Sequence, residues 1–118
     1  KKLRITLIIL LSGFLFNVNG FSQKVYKDSD VSTADLRVYV TTDLASADLK
    51  VFEVESSDQA RRDGQWYIVD ENSQADAYIR LYITTNESEA QLKVYYVSDK
   101  EQTGWVTNNK RNLYKIGK

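Results

Sequence analysis

The chain contains no histidine and no cysteine among its 118 residues. Nucleophilic sites of the Ser-His-Asp or Cys-His type, histidine-ligated zinc and thiolate metal sites are therefore excluded. The five glycines are scattered and do not form the spacing of a phosphate-binding loop. No disulfide can stabilise the fold, so a regular and well-packed architecture is needed. We expect no enzyme activity, no catalytic residue, no metal and no cofactor.

The first segment has the layout of a secretory signal peptide. Three positive charges within the first four residues precede an apolar run from Ile5 to Phe16, and small and polar residues follow. A run of about twelve apolar residues is too short to span a bilayer comfortably, and the whole arrangement is typical of cleaved signals. We predict a signal peptide at residues 1–22 with cleavage after Ser22. The alternative is an uncleaved N-terminal anchor.

The remaining residues, 23–118, form one small domain by length. Removing the signal takes away three of the 16 positive charges and none of the 16 negative charges, which leaves a net charge of about −3. A general nucleic-acid-binding protein would show a strong basic excess instead. We therefore expect no nucleic-acid partner, no membrane span after signal cleavage, and a periplasmic or extracellular location.

A repeat runs through this domain. Each unit begins with an apolar residue followed by an aromatic one, and an alanine or threonine stands nine positions after the apolar residue. The pairs are Val25-Tyr26, Val38-Tyr39, Val51-Phe52, Trp66-Tyr67, Leu81-Tyr82 and Val94-Tyr95, and the small residues are Ala34, Ala47, Ala60, Ala75, Ala90 and Thr103. Six units in register favour a fold built from one repeated supersecondary element.

Within a unit the pattern indicates a strand followed by a helical turn. In LRVYV the residues Leu36, Val38 and Val40 share one face of a strand, and IRLYI has the same alternation. The polar runs between strands carry helix-start signals. Ser56 with Gln59, Thr84 with Glu87 and Ser98 with Glu101 match the capping box, and Asp70 is a further candidate cap. We therefore predict six short strands joined by helical turns of six or seven residues.

These connections are short for links between parallel strands, which usually take a dozen or more residues. The helical turns nevertheless favour an α/β fold made of six strand-plus-turn repeats. The alternative is an all-β meander whose loops contain helical turns.

The stretch WYIVDENSQADAYIRLYITTNESEAQLKVYYVSDKEQTGW resembles a bacterial family of short proteins of unknown function. Members of that family repeat the phrase Tyr-x-Val-Asp-x-x-x-x-Ala-Asp and end on Ala-Gly-Trp and a basic tail. Here Val69-Asp70 and Ala75-Asp76 match the phrase, and Gly104-Trp105 followed by NNKRNLYK matches the ending. The resemblance covers residues 24–115.

The resemblance implies a small α/β fold with an entangled or knotted chain, and it implies no activity. True knots are very rare among proteins. The sequence departs from the family where the helical turns of its members carry aromatic residues. Asn72, Ser73, Glu87 and Ser88 stand at those places, and Gln91 replaces an aspartate. A role of the turn aromatics therefore does not transfer to this chain.

Aspartates recur one position after the repeat alanine, at Asp35, Asp48 and Asp76. If the units stack, such a row would offer oxygen ligands to calcium, which needs several of them. An arginine, a glutamine and a glycine occupy the same position in the other units and would interrupt the row. We therefore expect these aspartates to end the helical turns and to face water.

The main binding candidate is the opposite face of the strands. Two residues before the aromatic residue stands a cation in five units, and residues two apart share a face of a strand. The candidate ligand face consists of Arg37, Tyr39, Lys50, Phe52, Arg80, Tyr82, Lys93 and Tyr95. Ring stacking and charge-assisted hydrogen bonds from the cations would suit a glycan or a polyanion. The structural alternative is that the rings pack beneath the helical turns while the cations reach past them to water.

The sequence thus predicts a non-enzymatic exported protein with a structural or interaction role in the bacterial cell envelope, where its partner would be a glycan or another protein. The alternative is a glycan- or polyanion-binding module that uses the candidate ligand face. An exposed face favours the binding module, and a covered face favours the structural role. The basic segment KRNLYKIGK suggests a docked final strand with a frayed end.

Overall fold

The computed structural model describes residues 23–113. The predicted signal peptide and the end of the basic C-terminal segment lie outside these residues. Seven strands alternate with short 3-10 turns. The strands are β1 (Lys24–Lys27), β2 (Leu36–Val40), β3 (Leu49–Glu53), β4 (Gln65–Ile68), β5 (Ile79–Ile83), β6 (Leu92–Tyr96) and β7 (Gly104–Trp105). The 3-10 turns are Leu44–Ser46, Ser57–Gln59, Glu71–Asp76, Glu87–Glu89 and Lys100–Gln102.

The first six strands form a closed barrel in the order β4-β1-β5-β2-β6-β3, and β3 completes the ring by pairing with β4. All six pairs in the ring are parallel, and β7 adds to β3 in the antiparallel sense. The predicted α/β class is wrong, because the connections within residues 23–113 contain 3-10 turns and no α-helix. The all-β class of the alternative is confirmed, but its meander order is wrong, because among β1–β6 only β3 and β4 are both consecutive in the chain and neighbours in the ring.

A short connection is sufficient because the end of one strand and the start of the next are separated by a single strand. Lys27 at the end of β1 pairs with Leu81 of β5, and Leu81 pairs with Leu36 at the start of β2. This gap spans two inter-strand spacings, or about 10 Å. The crossover at residues 28–35 bridges the gap without a helix.

The same relation holds at the other skipped strands. The end of β2 faces the start of β3 across β6, the end of β4 faces the start of β5 across β1, and the end of β5 faces the start of β6 across β2. The chain therefore runs around the barrel twice, with β1–β3 as the first circuit and β4–β6 as the second. Every parallel pair joins a strand of the first circuit to a strand of the second. The path of the chain is thus entangled.

The inward side chains fill the barrel in layers. The register shifts by two residues at each strand pair, so residues from all six strands meet at one height. The middle layer consists of Val25, Val38, Val51, Trp66, Leu81 and Val94, each 0% exposed. Burial of each such side chain stabilises the fold by about 1.5–3 kcal/mol. Leu36, Leu49, Ile79 and Leu92 form a second buried layer toward the strand starts.

The crossovers are fastened by the polar residue that follows the repeat alanine. Its side chain accepts a hydrogen bond from a backbone N–H at the start of the strand that the crossover passes. The pairs are Asp35 with Arg80 at 2.8 Å, Asp48 with Lys93 at 2.9 Å and Gln91 with Arg37 at 3.0 Å. The expectation that these aspartates only face water is therefore wrong for Asp35 and Asp48, whereas Asp76 is exposed.

The predicted helix caps are correct at one place. Asp70 accepts a hydrogen bond from the backbone N–H of Ser73, as expected of a cap. Ser56 precedes its turn but makes no side-chain cap bond. The turns predicted to begin at Thr84 and Ser98 are instead capped by the next suitable residues, Asn86 and Asp99. The capping-box pattern thus locates the turns but shifts two of their starts.

The repeat alanines do not all occupy the same place relative to the turns. Ala47 and Ala60 end their turns and are buried, at 2% and 1% exposed. Ala75 lies inside the longest turn and is exposed, and Ala77 ends that turn instead. This unit is longer than most of the others because its turn, Glu71–Asp76, contains six residues instead of three. Because Ala75 is exposed, we expect Ala75→Asp to change the stability little.

Candidate functional site

The outward side chains at the middle of the strands form a closed band, here called the outer belt. Each cation or glutamine of the belt lies in register with an aromatic residue of the neighbouring strand. The pairs are Lys24 with Tyr67, Arg80 with Tyr26, Arg37 with Tyr82, Lys93 with Tyr39, Lys50 with Tyr95 and Gln65 with Phe52. The belt follows from the strand alternation and from the two-residue shift at each strand pair.

The fold brings all eight residues of the candidate ligand face into the outer belt. They are Arg37, Tyr39, Lys50, Phe52, Arg80, Tyr82, Lys93 and Tyr95, and each of them is half-buried. The face is thus not the open stripe that a binding module suggests, nor is it fully enclosed. Crossovers pass over the strands at this level, which accounts for the intermediate burial.

Arg80 shows how the crossovers engage the belt. Its guanidinium lies over the ring of Tyr26, 4.9 Å from the ring centroid, in a cation–π contact. The same group forms an ion pair with the buried carboxylate of Asp28, at 3.0 Å. The hydroxyl of Thr33, the backbone N–H of Asp30 and this guanidinium together hold the pKa of Asp28 below its usual value. Arg80 is therefore fixed by the first crossover.

Two further cations of the belt are held in the same way. The Nε of Arg37 donates to the backbone carbonyl of Glu89 at 2.8 Å, and the Nζ of Lys93 lies 3.1 Å from the carboxylate of Glu87. Both acceptors belong to the crossover between β5 and β6. Arg37, Lys24 and Lys50 form no ion pair with any residue of the described range 23–113. Within that range no acidic group therefore neutralises the charge of Lys50, which lies in register with Tyr95.

A polar cluster lies at the end of the barrel where the parallel strands terminate. Lys27, Glu53 and Tyr96 occupy inward positions there. The Nζ of Lys27 is 2.7 Å from a Glu53 carboxylate oxygen, and the hydroxyl of Tyr96 donates to that oxygen at 2.7 Å. The ring of Tyr96 meets Trp66 of the middle layer edge-on, with 6.3 Å between the ring centroids.

This open-end cluster shifts two ionisation equilibria. Burial raises the pKa of Glu53, but the hydrogen bonds from Lys27 and Tyr96 and the charge of Lys27 together outweigh it, so the pKa lies below its usual value. Burial and the neighbouring Glu53 carboxylate raise the pKa of Tyr96 above the usual range of a phenol. The cluster is therefore an ammonium, a carboxylate and a neutral phenol at neutral pH.

Sequence reasoning missed the open-end cluster, although the strand alternation contains a signal for it. Lys27 and Glu53 stand two residues after the middle-layer residue of their strands, where β2 and β5 have Val40 and Ile83. A charged residue in a row of inward apolar positions suggests a strand end or a polar site. Their partnership required the register between strands that are distant in sequence.

Residues 23–113 contain no group of three acidic side chains arranged to hold a metal ion. No helix of sufficient length and apolar character to cross a membrane occurs in that range.

The strand order and the double circuit set the context for comparison with known proteins. Residues 22–106 match the family model of the 7(1) septoil knot domain. The chain belongs to this septoil knot family. No curated protein and no solved structure matches the chain. The family name agrees with a chain that passes twice around one barrel, and it agrees with the entangled fold that the sequence resemblance implied.

The septoil knot domain includes every strand that contributes to the outer belt or to the open-end cluster. The outer belt lies wholly inside residues 22–106, as do Lys27, Glu53 and Tyr96. The family membership identifies the architecture, and the chemistry has to be argued from these side chains.

Proposed function

We propose that this protein is a non-enzymatic structural or interaction protein of the bacterial cell envelope, exported by its N-terminal signal. One observation carries the proposal: the recurring polar and cationic side chains of the repeat form bonds that join the crossovers to the strands. Asp35, Asp48 and Gln91 fasten the backbone, and Arg80 is fixed on Asp28 and Tyr26. Side chains used in this way stabilise a rigid surface for contacts with partners.

Export and association can be tested together in a bacterial host that expresses the full chain with a C-terminal tag. A membrane-impermeant, lysine-reactive cross-linker is applied to intact cells. We expect a processed chain outside the cytoplasm, joined to an envelope component, with less adduct for Lys50→Gln than for Lys110→Gln. An unprocessed cytoplasmic chain, or an exported chain without any adduct, would overturn the proposal.

A glycan- or polyanion-binding role of the outer belt is the second candidate. It is supported by Lys50, whose charge has no acidic partner within the described range and lies in register with Tyr95. Tyrosine nitration with peptide mass spectrometry, native against unfolded, measures access to Tyr39, Tyr82 and Tyr95. Modification of Tyr95 in the native state supports the binding role. Protection of all three rings argues against it and leaves the structural role.

A further inference from the structure

A cleft of about 330 Å³ is lined by none of the outer belt cations and by none of the open-end cluster residues, and it meets the belt only at Gln65. One wall is the connection between β3 and β4, and the other is the connection between β6 and β7. The residues that line the cleft are Asp58, Gln59, Arg61, Arg62, Gln65, Lys100 and Glu101. Three of them are cations, although the domain as a whole is acidic.

The floor of the cleft fixes the distance between its walls. Gln65 is 5% exposed. Its side-chain oxygen accepts a hydrogen bond from the backbone N–H of Arg61 at 2.9 Å, and its side-chain nitrogen donates to the carbonyl of Lys100 at 3.0 Å. One buried amide therefore holds both walls, and the cleft is a fixed part of the fold.

The two arginines are oriented by neutral acceptors. The Nε of Arg61 donates to the carbonyl of Asp58 at 2.9 Å. For Arg62, Nε donates to the hydroxyl of Thr103 at 3.2 Å and Nη2 donates to the carbonyl of Glu101 at 2.7 Å. Within residues 23–113, neither arginine forms an ion pair, and neither does Lys100. The two guanidinium groups are therefore oriented, and within the described residues no ion pair neutralises them or Lys100.

The acidic residues of the cleft do not cancel this charge. The carboxylate of Asp58 accepts a hydrogen bond from the hydroxyl of Ser56. That bond lowers the pKa of Asp58, and the charges of Arg61 and Lys100 lower it further. Three cations thus face two carboxylates, which leaves a net positive cleft on an acidic domain. Three positive and two negative side chains leave one positive charge, which matches one oxyanion group.

Oriented guanidinium groups match oxyanions well. An arginine fork binds two oxygens of a phosphate, sulfate or carboxylate at once, and such charge-assisted bonds are stronger than neutral ones. Preorganisation adds to the affinity, because side chains that are already fixed lose little freedom on binding. We propose that the cleft of Arg61, Arg62 and Lys100 is a binding site for one oxyanion group of an anionic envelope polymer.

The envelope source of the polymer rests on the proposed function, whereas the cations of the cleft are not among the residues that carry that function. The probes are inorganic sulfate, inorganic phosphate and acetate, titrated into the exported full chain and followed by backbone amide NMR. We expect saturable shifts confined to residues 58–65 and 100–103. Shifts spread along the outer belt, or no shifts up to tens of millimolar probe, would overturn the site.

Four single variants separate specific recognition from general attraction. Arg61→Gln should weaken binding by about tenfold, and Arg62→Lys should also weaken it although the charge is kept, because the fork is lost. Asp58→Asn should strengthen binding, a gain that misfolding cannot mimic. Arg111→Gln removes an exposed charge elsewhere and should change little. Equal losses for Arg61→Gln and Arg111→Gln would overturn the site.

Binding of anionic polymers shows which class of polymer supplies the oxyanion group. Polyphosphate, dextran sulfate and polygalacturonate present the three oxyanion groups on chains, and competition with the inorganic ions ranks them. Tighter binding of one polymer, lost in Arg61→Gln, identifies the class. If the NMR titration succeeds and the cross-linking experiment fails, the oxyanion site is supported and the proposed function is not. If cross-linking succeeds and the titration shows no shifts, the proposed function is supported and the oxyanion site is not.

Discussion

Gly64 lies where two backbones come close together. Its φ is +97°, in the left-handed region, and a Cβ there would collide with the backbone carbonyl oxygen of Lys50. Gly104 has a φ of +143°, but a Cβ at that position would meet open space. The pair therefore separates backbone strain from steric collision.

We expect Gly64→Ala to lower the free energy of unfolding by about 3 kcal/mol or more, because strain and collision add. Gly104→Ala should cost about 1 kcal/mol, since only the backbone conformation is unfavourable. Urea denaturation of both variants beside the parent chain measures the difference. Equal losses would show that the contact of Gly64 with Lys50 relaxes freely.

Asp28 links stability to acid pH. Its pKa is lowered in the folded protein, first by the Thr33 hydroxyl, then by the Asp30 N–H and by Arg80. A carboxyl with a lowered folded pKa stabilises the protein above its unfolded pKa of about 3.9, and this contribution is lost as the pH falls through the folded pKa. We therefore expect the Tm to decrease below about pH 4.

The control is Asp28→Asn, which keeps the shape and removes the titrating group. Its Tm should be lower than that of the parent at pH 7 and should change less between pH 5 and pH 2.5. Thermal unfolding followed by circular dichroism gives both values. Parallel curves for the two proteins would show that other carboxyls dominate acid unfolding.

Among the elements, the ends of β1, β3 and β6 meet through Lys27, Glu53 and Tyr96. The Glu53 carboxylate raises the pKa of the Tyr96 phenol in addition to burial. We expect Glu53→Gln to lower the pKa of Tyr96 toward that of an ordinary phenol, without restoring it fully because burial remains. Alkaline titration of tyrosine absorbance, with Tyr96→Phe to identify the signal, measures the change.

The control for this element is Glu55→Gln, which removes an exposed acidic charge two residues further along the chain. It should leave the titration of Tyr96 unchanged. An unchanged titration in Glu53→Gln would mean that the hydrogen bond of Tyr96 to Glu53 is not formed in solution.

The strands were predictable because each follows from alternation over a few neighbouring residues. Leu36, Val38 and the matching residues of the other units face inward as expected. The helical turns were located by their polar runs, but a capping pattern marks where a helix starts and not how long it runs. The pattern therefore predicts the helical half of an α/β fold even where a single 3-10 turn forms.

The candidate site was predictable only along each strand. A cation two residues before a ring, as Lys93 before Tyr95, follows from the sequence. Its neighbour across the barrel, Tyr39, depends on register between residues far apart in the chain. The same limit hid the open-end cluster, because Lys27 and Glu53 come from strands that share no short-range pattern.

At the scale of the whole molecule, a knotted chain has a mechanical signature. A simple chain of the length of residues 23–113 extends to roughly 320 Å. We expect a chain pulled at these two residues by optical tweezers to unfold and stop short of that length, because a tightened knot stores part of the chain. An unstructured Gly/Ser chain of equal length is the control, and full extension of the septoil knot domain would contradict the topology.

The two circuits also determine what can happen while the protein is being made. None of β1, β2 and β3 pairs with another of the three. A ribosome therefore delivers the chain as far as Gly64 before any strand has a parallel partner, and β4 provides the first one. Domains that fold during synthesis begin at their N-terminus, but this one has to wait for its second half. Under the proposed export this delay has a consequence, because β1–β3 remain without strand partners, and so unfolded, until the second half of the chain follows.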